Sequence, residues 1–159
     1  MTGLEQMLAI GSGELPGAPI AELLGFEPVD IEEERVTFVG RPGRQHLGGS
    51  APYGRVAAYP RLTGAVHGGY AATLLDSAMG CAVHTTLEAG AWYTTLELKI
   101  NFTRPITEDT GRVLCEGTVV HRGGRVATAE GRLVSEKTGK LLAHGTTTCL
   151  IGSANGAAS

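Results

Sequence analysis

One carboxylate stands in a stretch with almost no other charge. In "AVHGGYAATLLDSAMGCAV", residues 65–83, a histidine and two glycines open a nearly wholly apolar run, and Asp76 lies in its middle. An ionised side chain withdrawn from water is costly unless something compensates it, so Asp76 needs a reason to be there. The glycines supply a second clue. The first N–H groups of a helix have no partner inside it, and the helix dipole favours negative charge beside them. Gly68 and Gly69 leave that end unobstructed. Two readings follow from the glycines: a backbone donor site for an oxyanion, as acyl transfer requires, or a tight turn into a closely packed helix.

Drawn on a wheel at about 100° per residue, Thr73, Asp76, Ser77, Gly80 and His84 fall in one narrow sector, and the remaining circumference is mostly Ala, Leu, Met, Cys and Val. The spacing predicts a buried helix from Gly68 to about Leu87 with one thin polar strip. Such a strip faces solvent, a neighbouring subunit or a cleft, and the wide apolar arc favours the last two.

The elements that must hold this helix are legible around it. "LEQMLAI" and "PIAELLG" read as two short helices within an N-terminal helical segment, residues 1–30, followed by a strand at "ERVTFVG". Residues 40–64 are dense in Gly, Pro and Arg and read as a long loop or flap with a short strand near "GRVAAY". The "EEE" at residues 32–34 reads as a solvated turn. From residue 94 the pattern changes to a period of two: Leu96, Leu98, Ile100 and Phe102 on one face, Thr95, Glu97, Lys99, Asn101 and Thr103 on the other. "TEDTG", "RGG" and "KTG" then separate three further strands, which together predict a four-strand antiparallel meander. Ala127, Ala129 and Gly131, and Ala143, Gly145 and Thr147, present small faces on which the helix can lie. Residues 152–159 read as a loose polar tail. The predicted fold is α+β, one domain over residues 1–159, with the helix and meander in residues 65–151.

Composition excludes other classes. With 159 residues, 42% hydrophobic, 18% charged and a net charge of −3, the chain has no basic excess for a nucleic-acid backbone. Cys81, Cys115 and Cys149 are far apart and set in apolar runs, so they read as small buried hydrophobes, and His84, His121 and His144 show no metal-ligand spacing. No signal peptide or membrane span is apparent, which makes a cytoplasmic location the default expectation. No G-x-S-x-G elbow occurs.

"TGAVHGGYAATLLDSAMG" followed by "TTLELKINFTRPI" resembles the PaaI-like hotdog-fold acyl-CoA thioesterases of the phenylacetic acid pathway. That pattern joins a small-residue turn, His-Gly-Gly and an acidic residue eight positions after the first glycine. A strand with Thr or Ser at its start and Phe-x-Arg-Pro at its end completes it. Gly68, Asp76, Thr95 and Phe102 to Pro105 match, and the resemblance spans about residues 20–151. It implies a hotdog fold, a long helix wrapped by a curved antiparallel sheet. It also implies hydrolysis of an acyl-CoA or acyl-carrier thioester without cofactor or metal. By the resemblance, the Gly68 N–H holds the thioester oxygen, Asp76 acts as base or nucleophile, and Thr95 orients the water or the carboxylate. His67 and Gly69 shape the turn at the substrate. Many relatives carry Asn in a His-x-Asn-Pro-like stretch six residues before the HGG histidine, where this chain has Arg61. Arg61 either supplies a charge there, to a carboxylate or to coenzyme A phosphates, or gives way to His46 or Tyr59. Arg122 and Arg125, in a hairpin, are further candidates for those phosphates.

Spacing adds a constraint of its own. Eight residues of helix separate Gly68 from Asp76 by about 12 Å, too far for both to touch one carbonyl. If both act on one thioester, they come from two chains with antiparallel helices, so a homodimer, extended in some relatives to a dimer of dimers, is expected. Two alternatives remain: a hotdog dehydratase or hydratase acting on 3-hydroxyacyl or enoyl thioesters, using His67 with Asp76, and a non-catalytic acyl-CoA binding module.

Overall fold

Nine principal elements follow in chain order among the described residues. Helices α1 (Gly3–Ser12) and α2 (Pro19–Leu24) precede strands β1 (Phe26–Glu32) and β2 (Arg35–Gly40). Helix α3 (Gly68–Thr85), β3 (Ala91–Phe102), β4 (Val113–Arg122), β5 (Val126–Ser135) and β6 (Leu141–Ser153) complete the set. The computed structural model describes residues 1–48 and 64–153. The expected strand near "GRVAAY", with Tyr59 and Arg61, lies outside the described residues.

The strands form one antiparallel sheet in the order β1-β2-β4-β5-β6-β3, and α3 packs across all six. This is the expected α+β hotdog arrangement of a central helix and a curved sheet. Leu74, Leu75, Ala78, Met79, Ala82 and Val83 of α3 are fully buried, each large side chain contributing about 2 kcal/mol of burial. No helix among the described residues is long and apolar enough to cross a membrane.

Four expectations are corrected. The meander covers only β4, β5 and β6; β3 pairs with β6 instead of β4, so the "TEDTG" segment is a crossover and β3 becomes an edge strand. Turn chemistry reports that a chain changes direction, not which strand it returns to. Second, the N-terminal segment is helical only to Leu24; β1 begins at Phe26. Its proline and acidic residues mask the strand signal, and Pro28 is accommodated at the sheet edge beside a bulge between Pro28 and Asp30. Glu32 belongs to β1 and pairs with Arg35 at 2.8 Å, leaving Glu33 and Glu34 as the turn, with Glu34 left-handed at φ 65°. Third, β6 runs through Gly152 and Ser153, which pair with Trp92 and Ala91, so these two residues are not tail.

The fourth correction concerns β3. A bulge between Thr95 and Glu97 leaves Leu96 as the extra residue: Thr95 pairs with Cys149 and Glu97 with Thr148. Leu96 is 59% exposed, while Thr95, Leu98 and Ile100 share the half-buried face. An inserted residue reverses the facing of everything beyond it. Uniform alternation therefore assigned Thr95 and Leu98 to opposite faces when they share one. Phe102, grouped with the inward set, is 59% exposed.

Glycines let the helix approach the sheet. Gly117, Gly131 and Gly145 stand side by side on β4, β5 and β6. A Cβ on Gly117 would lie 2.3 Å from the Ala78 carbonyl carbon, and one on Gly131 would lie 2.9 Å from Met79 Cγ. Gly145 instead faces Lys99 O of β3, at 2.6 Å from such a Cβ. The small faces of β5 and β6 were legible beforehand; the closest approach, at Gly117, was not.

Candidate active site

His67 is the N-cap of α3. Its Nδ1 accepts the Gly69 N–H at 2.8 Å and its carbonyl accepts the Tyr70 N–H at 3.0 Å. Gly69 is thereby committed to the turn, whereas the Gly68 N–H has no acceptor among the described residues. A cavity of about 310 Å³ opens beside Gly68, lined among others by Val66, Ala71, Phe102, Arg104 and Leu142. The Phe102 ring bounds it so closely that a Cβ on Gly68 would lie 3.2 Å from Phe102 Cζ. Glycine at 68 therefore leaves both a donor and the space in front of it.

The Phe-Thr-Arg-Pro corner holds that ring in position. The Thr103 and Arg104 N–H groups both donate to Leu142 O, at 2.8 and 3.1 Å. Thr103 Oγ1 and the Arg104 guanidinium both donate to Leu141 O, at 2.9 and 2.8 Å. These bonds tie the end of β3 to the start of β6. The motif was visible in the sequence, but nothing local in it linked Phe102 and Arg104 to Gly68.

Asp76 lies two turns along α3, on the half-buried strip with Thr73, Ser77 and His84; Gly80, of the same strip, is buried against the Tyr93 ring. Its Oδ1 accepts the Thr95 hydroxyl at 2.9 Å, a contact made possible by the bulge at Leu96. Asp76 forms no ion pair among the described residues. Cys81 and Tyr93 lie beside it. Burial, aided by the neighbouring Asp76 carboxylate and opposed by a hydrogen bond with Tyr93, pushes the Cys81 thiol up to about 12. Burial likewise raises Cys149. Neither thiol is a thiolate at neutral pH.

His46 is buried near the HGG turn. Its carbonyl accepts the His67 N–H at 2.7 Å, its ring stacks on Tyr70 with centroids 4.4 Å apart, and its Nδ1 accepts the Gly43 N–H at 3.0 Å. Desolvation lowers its pKa, which keeps the ring neutral with its proton on Nε2. Arg125 sits beside the end of β6, its carbonyl accepting the Ile151 N–H at 2.8 Å, at the opposite end of the sheet from Gly68. One chain thus brings Thr95 to Asp76 and Phe102 to Gly68, and leaves Gly68 and Asp76 two turns apart on one helix.

Comparison with known proteins agrees with this architecture. Residues 63–142 match the model of the Thioesterase superfamily. A Halobacterium salinarum protein provisionally named an esterase is 38% identical over 74 residues, 45% of this chain and 47% of that protein, so the chain spans about half the length of this curated relative. Among solved structures, a phenylacetic acid degradation-related protein of Ralstonia eutropha JMP134, provisionally described as a thioesterase, superposes with a TM-score of 0.75 at 26% identity. That match covers 91% of this chain and 98% of the other. A substituted form of the phenylacetic acid degradation protein PaaI of Thermus thermophilus gives 0.67 at 28% identity over 84% and 98%. With the fold and half of its sequence matched in this way, the chain belongs to the thioesterase superfamily.

Proposed function

We propose that this chain hydrolyses acyl-CoA or acyl-carrier thioesters at two sites shared across a homodimer. The observation that carries the reading is the state of Asp76: a carboxylate in a buried helix, without an ion pair among the described residues and hydrogen-bonded to Thr95 at 2.9 Å. An anion kept in such surroundings is suited to proton abstraction or nucleophilic attack.

In the proposed reaction the thioester oxygen accepts the Gly68 N–H of one chain, where the helix dipole stabilises the charge that develops on it. Asp76 of the other chain takes a proton from water as the water oxygen attacks the carbonyl carbon. Collapse of the tetrahedral intermediate breaks the C–S bond, and the thiolate leaves with the proton from Asp76. Alternatively, Asp76 attacks directly and water hydrolyses the resulting anhydride. Both routes consume one thioester and one water and yield a carboxylic acid and a thiol, with no cofactor. Thr95 orients the carboxylate in either route.

The about 12 Å between Gly68 and Asp76 requires the second chain. Strand β3 supports the pairing: it is an edge strand of 12 residues with Trp92, Leu96 and Phe102 47%, 59% and 59% exposed. Such an edge is normally covered, and two-fold pairing of β3 with its copy would cover it. A dehydratase would use the His67 imidazole with Asp76, but His67 Nδ1 is engaged as the helix cap by the Gly69 N–H, and the hydrogen bond to Asp76 comes from a threonine hydroxyl.

The test is thiol release from a panel of acyl-CoA esters by the wild type and by Asp76→Asn. The variant is expected to keep its melting temperature within a few degrees and to lose about 100-fold or more in kcat. Undiminished turnover would remove Asp76 from the chemistry, and no turnover of any ester by the wild type would favour an acyl-CoA binding module.

A further inference from the structure

The cavity beside Gly68 does not end at Phe102. Arg104, Pro105 and Leu142 form its far wall and also line a second, wider cleft of about 440 Å³ that extends to the β5–β6 turn. Two lysines, Lys137 and Lys140, flank that turn and line the cleft. The turn is held by Gly139 N–H to Ser135 O at 2.8 Å and Ser135 N–H to Lys140 O at 3.0 Å, with Gly139 at φ 68°. Lys140 is two residues, at most about 7 Å of chain, from Leu142.

Charge is concentrated here against the trend of a chain whose net charge is −3. Three cations, Arg104, Lys137 and Lys140, line the cleft with one carboxylate, Asp109. The carboxylates nearby in sequence are already engaged, Glu136 by Arg112 at 3.1 Å and Glu108 by Arg44 at 3.7 Å. Neither lysine forms an ion pair among the described residues. Thr107, Thr110 and Thr138 add hydroxyls to the walls. A concave cationic cleft, joined through a shared wall to the proposed carbonyl site, fits a small polyanion carried on an extended arm better than the face of a folded carrier.

Building on the function proposed above, we infer that the cleft of Arg104, Lys137 and Lys140 binds the phosphates of a coenzyme A thioester. The arm then runs along Pro105 and Leu142 to the carbonyl at Gly68. Lys137 and Lys140 are specificity residues, distinct from the hairpin Arg125 at the far end of the sheet.

The experiment compares one acyl group carried on coenzyme A, on N-acetylcysteamine and on an acyl carrier protein, using the wild type, Lys137→Glu/Lys140→Glu and Lys137→Gln/Lys140→Gln. Both doubly substituted proteins are expected to raise KM for the coenzyme A ester about tenfold or more and to leave kcat/KM for the N-acetylcysteamine ester unchanged. The unchanged truncated ester also reports that the fold is intact. The inference is overturned if the coenzyme A ester is unaffected, if both small esters change alike, or if only the carrier-protein ester is affected. Should the wild type release no thiol from any ester, the hydrolase reading fails separately. Equilibrium binding of free coenzyme A then decides the cleft: lysine-dependent binding supports it, and absent or lysine-independent binding overturns it.

Discussion

A hydroxyl 2.9 Å from Asp76 Oδ1 governs how that carboxylate can be used. A hydrogen bond to a charged acceptor is worth about 1.5–3 kcal/mol, and here it also fixes the carboxylate plane on an otherwise apolar helix. Thr95→Val preserves shape and removes the donor. The expected outcome is a fall in kcat of about tenfold with little change in KM, and no further fall when Thr95→Val is combined with Asp76→Asn. Steady-state kinetics of the two single variants and the double variant measure that coupling. An equal additional loss in the Asp76→Asn background would show that Thr95 acts elsewhere. Gly68 and Phe102 form the other half of the proposed site, where the absence of a side chain on one residue leaves room for the ring of the other.

At the scale of elements, the distance between α3 and the sheet is set by the glycines beneath the helix. A methyl group on Gly117 would press on the main chain of Ala78 and Met79 at 2.3–2.5 Å, where no rotamer change can relieve it. Gly117→Ala is expected to destabilise the fold by about 3 kcal/mol, lowering the melting temperature by roughly 6–12 °C. Gly124→Ala, in the β4–β5 turn with nothing within 4 Å of the added methyl, is the control and should stay within about 0.5 kcal/mol. Thermal unfolding followed by circular dichroism distinguishes the two. The Leu96 bulge acts at the same scale: one extra residue in β3 turns Thr95 toward the helix while keeping Leu98 and Ile100 against the core.

At the scale of the whole molecule, the proposed site exists only between chains. Co-expressed Gly68→Val and Asp76→Asn subunits provide a direct check. Each homodimer lacks one half of both sites, whereas a mixed dimer regains one complete site. With random assembly the mixture is expected to recover about a quarter of wild-type activity, and mixed dimers purified through tags on both subunits about half, measured as thiol release. If the mixture is as inactive as either homodimer, Gly68 and Asp76 do not act on one substrate.

The amino-acid sequence by itself determined the features written in short-range pattern. Apolar spacing around Asp76 marked α3 and its polar strip, alternation marked β3 to β6, and Gly-rich and polar turns marked where strands end. The matched motifs brought together Gly68, Asp76 and Thr95, although the sequence put Thr95 on the wrong face of its strand. Tertiary structure alone decided that β3 joins β6 across the sheet, that Leu96 is the inserted residue, that Gly117 is where the helix backbone comes nearest, and that the Phe102 ring borders Gly68. The division has a physical cause. Helix periodicity and turn conformation depend on residues a few positions apart, whereas strand partners, bulges and close approaches depend on which distant surfaces meet once the core has closed.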